Sequence, residues 1–542
     1  MLNALHQSRE AAWFLRWGWI PSWLLFMVVA AFTRGLWPID ETRYATVAWE
    51  MWQSGQWLVP HLNGAPYAHK PPMLFWLTQL GWYLFGVNDL WPRVMAPLAG
   101  LATVLLSMRL ARRMWPELPA VSGLLPWLLC FSLYWIGFHN MLMFDGLVAL
   151  WTVLIWVGLW LATERVRPGF ALVGVGLGMG LLTKGPIILV FGLPPAMLAP
   201  LWHPVWPGWR VWGAGLARAL GIMAVIALAW ALPAAILGGK DYATDLLWRQ
   251  SAGRALESFA HRRPWWWYLP ILPLMVLPWS LFPASYRALG HVSRLAAHDR
   301  GVRFCFAALV PGLVLCSLIS GKQPHYLLPL LPALMLLLAR GMAALSLRFS
   351  LRPLAAAMAI AALALAIAPL WLRAQGASSW IADVSPLWGL ALLPLAWMLW
   401  RRPPTDVLFQ VPAMGVVVVL LLSFGHLTIV RDAGARFDLT AFSQRLGALE
   451  RDHPLAFVGL YRGQFQFLGR LQQTPALLDS AEEVRLWATQ HPDGIIIDEV
   501  GQALDCTVPP SVLCQPYRGH YLALREAGQI TALETLPTPP QP

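Results

Sequence analysis

Long apolar stretches alternate with short polar ones over most of this chain, and the length of each stretch is the first physical clue. A helix of about 17–25 apolar residues matches the hydrocarbon thickness of a bilayer. Such runs fall near 15–36, 90–110, 119–138, 145–163, 169–183, 185–202, 211–237, 266–286, 304–320, 324–340, 353–372, 386–400 and 408–430. The pattern predicts an all-α polytopic domain of about 13 spans over residues 1–430. Beyond residue 430 it changes to short apolar runs at 455–460 and 494–500, with amphipathic stretches at 439–450 and 480–490. That mixture predicts a small α/β domain over 431–542, with a frayed Pro-rich end from Leu536. The first run follows Arg16 and leads into charged residues without a small-residue cleavage site, so it reads as a span and not as a signal peptide.

Arginine fixes the expected topology. Arg9 and Arg16, then Arg109, Arg112 and Arg113, then Arg165 and Arg167, Arg210, Arg287 to Arg303, Arg340 to Arg352, and Arg401 with Arg402 all fall in alternate loops. An excess of Lys and Arg marks the cytoplasmic side, so the N-terminus is expected inside and the tail outside. The outer side then receives the loop 38–89, the segment 139–145, Lys184, the loop 238–264, the turn 321–323 and the domain 431–542. It receives almost every polar residue that invites a chemical reading.

Composition agrees with a bilayer. The chain of 542 residues is 58% hydrophobic and 12% charged, and its mean hydropathy is +0.55. The net charge of +12 is spread in short groups at the ends of apolar runs and forms no basic stripe, which argues against nucleic acid as a partner. Trp13, Trp17 and Trp265 to Trp267 sit near run ends, where an indole suits the headgroup layer. Cys130, Cys305 and Cys316 lie inside apolar runs as small buried hydrophobes, whereas Cys506 and Cys514 fall in the tail, where an oxidising compartment would allow a disulfide.

The first outer loop carries the densest chemistry. From Asp40 onward Tyr44, Val47, Ala48, Met51 and Trp52 recur at helical spacing, with Arg43, Thr46, Glu50 and Gln53 on the polar side, which predicts a helix lying in the membrane interface. On spacing alone Asp40 reads as an N-cap with Arg43 as its ion-pair partner. A turn-rich linker, 57–64, leads to Lys70, which stands beside Pro71 and Pro72 at the start of a second apolar helix over 73–85. A lone lysine there also serves as a snorkelling anchor.

The stretches Asp40-Glu41-Thr42-Arg43-Tyr44-Ala45, Ser54 to Pro60, Asn63-Gly64, and Lys70-Pro71-Pro72 with Trp76-Leu77 resemble the first periplasmic loop of the bacterial aminoarabinose transferases of lipid A. These belong to the protein O-mannosyltransferase-like branch of the GT-C superfamily. Asp145, Leu182-Thr183-Lys184-Gly185-Pro186, His261 before Pro264-Trp265, and Ser320-Gly321-Lys322 followed by Tyr326-Leu327-Leu328-Pro329 extend the resemblance over residues 15–340. It implies a GT-C membrane enzyme that takes a sugar from undecaprenyl phosphate and passes it to lipid A. Its runner-up readings are a protein O-mannosyltransferase, a wall-glycan transferase and, from a different class, a lipid-linked sugar transporter. One departure stands out. The family commonly has Glu before the Lys-Pro, where this chain has His69; His69 and His261 are thus a candidate zinc pair, although no cofactor is required by the expected chemistry.

That chemistry explains the residue types. Expelling a polyprenyl phosphate from an anomeric carbon builds negative charge, which fixed cations stabilise in a low-dielectric pocket. Arg43, Lys70, Lys184 and Lys322 are the candidates. Asp40 is the candidate base if the acceptor is a hydroxyl, and an orienting charge if it is a phosphate that is already ionised. Asp145, whose bland reading is an N-cap, is a candidate sugar ligand, as Tyr44 and Tyr326 are for phosphate or hydroxyl groups.

Overall fold

The computed structural model describes residues 12–246, 262–376, 379–434, 436–501 and 511–530. The chain is mostly helical. Helix α1 (Trp19–Thr33) leads to α2 (Asp40–Ser54), a short hairpin of β1 (His61–Leu62) and β2 (Ala65–Pro66), and α3 (Met73–Phe85). There follow α4 (Leu90–Met114), α5 (Pro119–Cys130), α6 (Leu133–Phe138), α7 (Phe144–Ala162), α8 (Val166–Lys184), α9 (Ile187–Met197) and α10 (Trp209–Thr244). After the undescribed 247–261 come α11 (Tyr268–Met275), α12 (Pro283–Leu295), α13 (Arg300–Leu318), a 3-10 turn over Pro324–Leu330 running into α14 (Leu331–Met342), α15 (Arg352–Ala374), α16 (Leu387–Arg401) and α17 (Val407–Gly425).

Among the described residues, eight helices are long and apolar enough to cross a membrane, and α1, α5, α9 and α16 are shorter apolar helices. The run expected as one span over 266–286 departs from that reading. It is cut into a 3-10 turn at Trp265–Trp267, α11, a second 3-10 turn at Trp279–Leu281 and the start of the amphipathic α12. Pro270, Pro273, Pro278 and Pro283 remove backbone donors and crowd the preceding turn, which interrupts a helix whatever its hydropathy. The freed backbone finds partners nearby: Leu133 N donates to Leu277 O at 2.8 Å, and Ser132 Oγ donates to Met275 O at 3.0 Å. Non-helical backbone at membrane depth requires such pairing.

The opposite ends of the bundle differ chemically. At the Ala162 end of α7, Asp299 caps α13 through Gly301 N and Val302 N, accepts from Arg340 at 2.9 Å and from the Trp115 indole, while Arg300 lies over Trp160. At the Phe144 end stands a separate group of charges with aromatic neighbours.

Downstream of the bundle, α18 (Thr440–Leu449), α19 (Gln466–Gly469) and α20 (Ala481–Gln490) accompany five strands: β3 (Leu455–Val458), β4 (Ala476–Leu478), β5 (Ile495–Val500), β6 (Leu513–Tyr517) and β7 (His520–Glu526). The sheet order is β4-β3-β5-β7-β6. Strands β3, β4 and β5 are parallel, and β7 runs antiparallel to both β5 and β6. Cys514, on β6, is disulfide-bonded; Cys506 lies outside the described residues.

This sheet-bearing region grips the segment between α1 and α4. Thr46, fully buried on α2, donates to Gly463 O at 2.6 Å and accepts from Phe467 N at 3.3 Å. The Trp49 indole donates to Leu471 O at 3.0 Å, Asn63 Nδ2 donates to Tyr461 O at 2.9 Å, and Arg470 pairs with Asp89 at 2.5 Å. Phe467 stacks on Trp82 at 4.9 Å. Helix α2 thus packs part of its polar side, Thr46 above all, against this region, while Asp40 and Gln53 stay exposed. A polar stripe matches a neighbouring domain as well as it matches water.

Candidate active site

Helices α7 and α8 are antiparallel neighbours, so the start of one meets the end of the other. Glycines bring them close: a Cβ on Gly158 would stand 2.9 Å from Gly169 O, and one on Gly169 would stand 2.4 Å from Ala162 Cα. Small residues of this kind are what allow membrane helices to approach backbone to backbone. Lys184 Nζ thereby reaches Asp145 Oδ1 at 2.7 Å. The N-cap of α7 is Met143, and no side chain caps it, so Asp145 is an ion-pair partner and not a cap. Gly185, with φ of +71°, ends α8 in a conformation that a side chain resists, and Pro186 follows it.

Aromatic rings surround this pair. Lys184 Nζ lies 4.5 Å from the centre of the Tyr326 ring, and Lys70 Nζ lies 5.8 Å from that of Phe144. Tyr44 meets Phe144 edge-on at 4.9 Å. Cation–π contacts hold ammonium groups in a dry setting without neutralising them. Next to Tyr44 on α2, Arg43 pairs with Asp40 one turn before it and lies 5.4 Å from the Tyr44 ring. Asp40 is the first helical residue, makes no capping bond, and its side chain is 53% exposed, so the cap reading does not describe it. Burial, and then the nearby Asp40 carboxylate, push the Tyr44 hydroxyl up from its ordinary pKa. Tyr44 thus remains a proton-bearing donor.

Asp40, Arg43, Tyr44, Lys70, Asp145, Lys184 and Tyr326 therefore share one end of the bundle. Lys322 is placed otherwise. It is buried, and its ammonium donates to Arg263 O at 3.0 Å and Ile319 O at 2.5 Å, where Arg262 also bridges to Gly321. It locks a chain junction in place of facing the cluster, and burial pushes its pKa down. His69 is exposed, its ring 5.1 Å from that of Tyr67. His261 lies outside the described residues. Among the described residues no three His, Cys, Asp or Glu side chains converge to hold a metal.

Sequence reasoning missed two groups. Arg34 and Glu41 form a fork-to-fork pair at 2.5 and 2.9 Å, with side chains 4% and 5% exposed. Glu41 also accepts from Trp37 N at 3.0 Å and Leu142 N at 2.7 Å, and Arg34 donates to Asn140 O. The knot ties the start of α2 to the segment that presents Asp145. Its signal was present as an acidic residue directly after Asp40, and an arginine at the end of an apolar run. The second is His325, whose Nε2 stands 4.0 Å from Asp145 Oδ2; its signal was adjacency to Tyr326. Glu50, in turn, receives Asn63 N at 2.8 Å and Gly64 N at 3.0 Å. Both of those residues have positive φ, as an Asn-Gly hairpin turn of the tightest type requires.

Beside the cluster runs an apolar groove of about 330 Å³ lined by Leu133, Tyr134, Phe138, Ile271, Leu274 and Pro324, among others.

Residues 69–236 match the family described as dolichyl-phosphate-mannose-protein mannosyltransferase. The undecaprenyl phosphate-alpha-4-amino-4-deoxy-L-arabinose arabinosyl transferase of Pseudomonas aeruginosa (strain UCBPP-PA14) is 35% identical over 348 residues, 61% of this chain and 59% of that one. Transferase 1 of the same description from Pseudomonas fluorescens (strain Pf0-1) is 31% identical over 337 residues, 59% of this chain and 57% of that one. The match thus spans under three-fifths of the relatives' length. The crystal structure of ArnT from Cupriavidus metallidurans without ligand superposes with a TM-score of 0.75 at 19% identity, covering 95% of this chain and 98% of that one. The structure of the same protein bound to undecaprenyl phosphate gives 0.74 at 19% identity, covering 93% and 97%.

Proposed function

The chain is a sequence relative of the aminoarabinose transferases and shares their GT-C fold, and from that premise we propose that it moves a sugar from an undecaprenyl-phosphate carrier to a lipid A phosphate. The observation that carries the reading is the convergence of Arg43, Lys70 and Lys184 with Asp40 and Asp145 at one end of the bundle, beside an apolar groove. The relatives' name specifies an undecaprenyl-phosphate donor and an arabinosyl group, and a neighbour of the same fold is described as binding undecaprenyl phosphate.

In this reading the isoprenoid tail lies in the groove between α6 and α11, and its phosphate faces Lys70, Lys184 and Arg43. An acceptor oxygen attacks the anomeric carbon from the face opposite the phosphate, so the configuration inverts. The bond to the phosphate oxygen breaks, and the leaving phosphate takes the electron pair. Fixed cations in a site shielded from water lower the cost of that charge. Asp40, the most exposed acid of the group, takes the acceptor's proton or orients an acceptor phosphate, while Asp145, held by Lys184, binds sugar hydroxyls through its free lone pairs. Tyr44 and Tyr326 donate to phosphate or sugar oxygens. No step needs a metal; zinc at His69 and His261 stays outside this scheme.

Topology belongs to the same proposal. We assign about 13 crossings, with the proline-broken segment 265–286 counted as one of them, to a membrane domain of residues 1–430, and residues 431–542 to a periplasmic α/β domain. The cluster then faces the periplasm of a bacterial inner membrane. Arginine asymmetry supports the orientation, and so does the disulfide at Cys514, since such bonds persist in oxidising compartments. The match to the mannosyltransferase family supports a second reading, a protein O-mannosyltransferase with the same donor class. Mass spectrometry of lipid A from cells with and without the gene tests the first reading. A lipid A profile that does not change, together with a lost protein glycoform, would transfer the assignment to the second.

A further inference from the structure

His325 lies where the apolar groove meets the charged cluster. Its neighbour Pro324 lines the groove, and its other neighbour, Tyr326, lies beneath Lys184. The imidazole is 5.6 Å from Phe138, a groove residue, and edge-on to Tyr326 at 4.9 Å. Its Nε2 stands 4.0 Å from Asp145 Oδ2, beyond hydrogen-bond reach. Neither ring nitrogen has a hydrogen-bond partner among the described residues, and the side chain is 18% exposed. An imidazole always carries at least one N–H donor. With no partner among the described residues, that N–H is open to a ligand arriving at the seam.

We infer that His325 is a direct hydrogen-bond donor to the donor lipid's phosphate, at the seam between its tail groove and the Asp145–Lys184 pair. The inference rests on the proposed donor class and adds a contact to it. A tail lying along Phe138 and Pro324 must bring its phosphate past His325 before it reaches Lys184. The lysine, already shared with Asp145, supplies only part of a charge to that phosphate. An imidazole N–H adds directional binding there to the charge that Lys70 and Lys184 supply. Packing between Phe138 and Tyr326 is the competing role, and phenylalanine would fill that role equally well.

The test measures binding of undecaprenyl phosphate and of undecaprenol to purified full-length protein in one detergent, with melting temperatures recorded alongside. His325→Phe keeps the ring and removes the donor; it should weaken undecaprenyl phosphate binding about tenfold, the effect of one hydrogen bond to a charged group, and leave undecaprenol binding unchanged. His325→Gln, which retains an N–H donor, should bind the phosphate within about threefold of wild type. Should His325→Phe fold poorly, His325→Met carries the same comparison. Equal binding of the phosphate by wild type and the donor-less variant overturns the inference alone, as does an equal loss for both lipids, which would make His325 a groove wall. If wild type itself does not bind undecaprenyl phosphate, the donor assignment falls and takes the inference with it.

Discussion

Lys184 and Asp145 meet at 2.7 Å with side chains only 14% and 5% exposed, so each is the other's main compensation for leaving water. Removing one partner of such a pair leaves a buried charge, which typically costs about 3–5 kcal/mol, whereas removing both is far milder. Lys184→Met should therefore melt well below wild type and transfer no sugar. Adding Asp145→Asn to it should restore much of the melting temperature and none of the activity. A double variant no more stable than Lys184→Met would mean that the pair is not a closed electrostatic unit.

Asp40 gives the opposite expectation. Its side chain is 53% exposed and bonded to Arg43, and exposed pairs contribute about 0–1 kcal/mol. Asp40→Asn should keep its melting temperature while turnover of a polyprenyl-phosphate sugar falls about 10²–10⁴-fold, the usual loss for an acid–base group. Turnover within about threefold of wild type, far above that expected loss, would remove Asp40 from the mechanism.

The buried Arg34–Glu41 knot is expected to contribute to folding. Glu41 accepts from Arg34, Trp37 N and Leu142 N at once, and Glu41→Gln would turn an amide donor toward one of these donors. A loss of about 3–5 kcal/mol is expected, the range for breaking a buried charge pair, read as a lower midpoint in thermal or denaturant unfolding. Unchanged stability would contradict the buried geometry.

Thr46→Val removes only the hydroxyl that joins α2 to Gly463 and Phe467. If that joint sets the position of Asp40 and Arg43, turnover should fall roughly tenfold, as expected for a small displacement of positioned groups. KM for the donor should change little, and Thr46→Ser should recover the rate. A rate equal to wild type in Thr46→Val would make the joint merely cohesive.

Burial raises the Glu50 carboxyl above its ordinary pKa, against the opposing effect of bonds from Gly64 N and Asn63 N. The folded chain then holds this proton more tightly than the unfolded chain does, so between the two pKa values stability increases as pH falls. Melting temperature measured from pH 7 down to about 4.5 should shift in favour of wild type relative to Glu50→Gln. A difference that stays constant with pH would show that the carboxyl is not perturbed.

How much of this the sequence disclosed varied with the type of signal. Asp40, Lys70, Asp145 and Lys184 stand in local motifs, and their common side followed from counting arginines between apolar runs. Proline chemistry governed 266–286, where hydropathy alone reads a span. The polar side of α2 held no clue that Thr46 and Gln53 face another part of the same chain, because a hydroxyl or an amide suits a protein carbonyl as well as water. Lys322 illustrates the same limit: a lysine after Ser-Gly at a helix end reads as a free cation, and only the distant Arg263 carbonyl turns it inward. His325 went unnoticed because its neighbours in space, Asp145 and Phe138, come from other helices.

Thr46 and Gly463 lie 417 residues apart, and this separation imposes an order on biogenesis. A ribosome releases the helix bearing Asp40 and Arg43 first, and the carbonyl that anchors it emerges only after 417 further residues have followed Thr46. Until then the nascent protein holds Asp40, Arg43, Lys70, Asp145 and Lys184 without the bond from Thr46 to Gly463. A message truncated between codons 434 and 463 would yield a chain that carries all the apolar helices described above and still lacks this anchor.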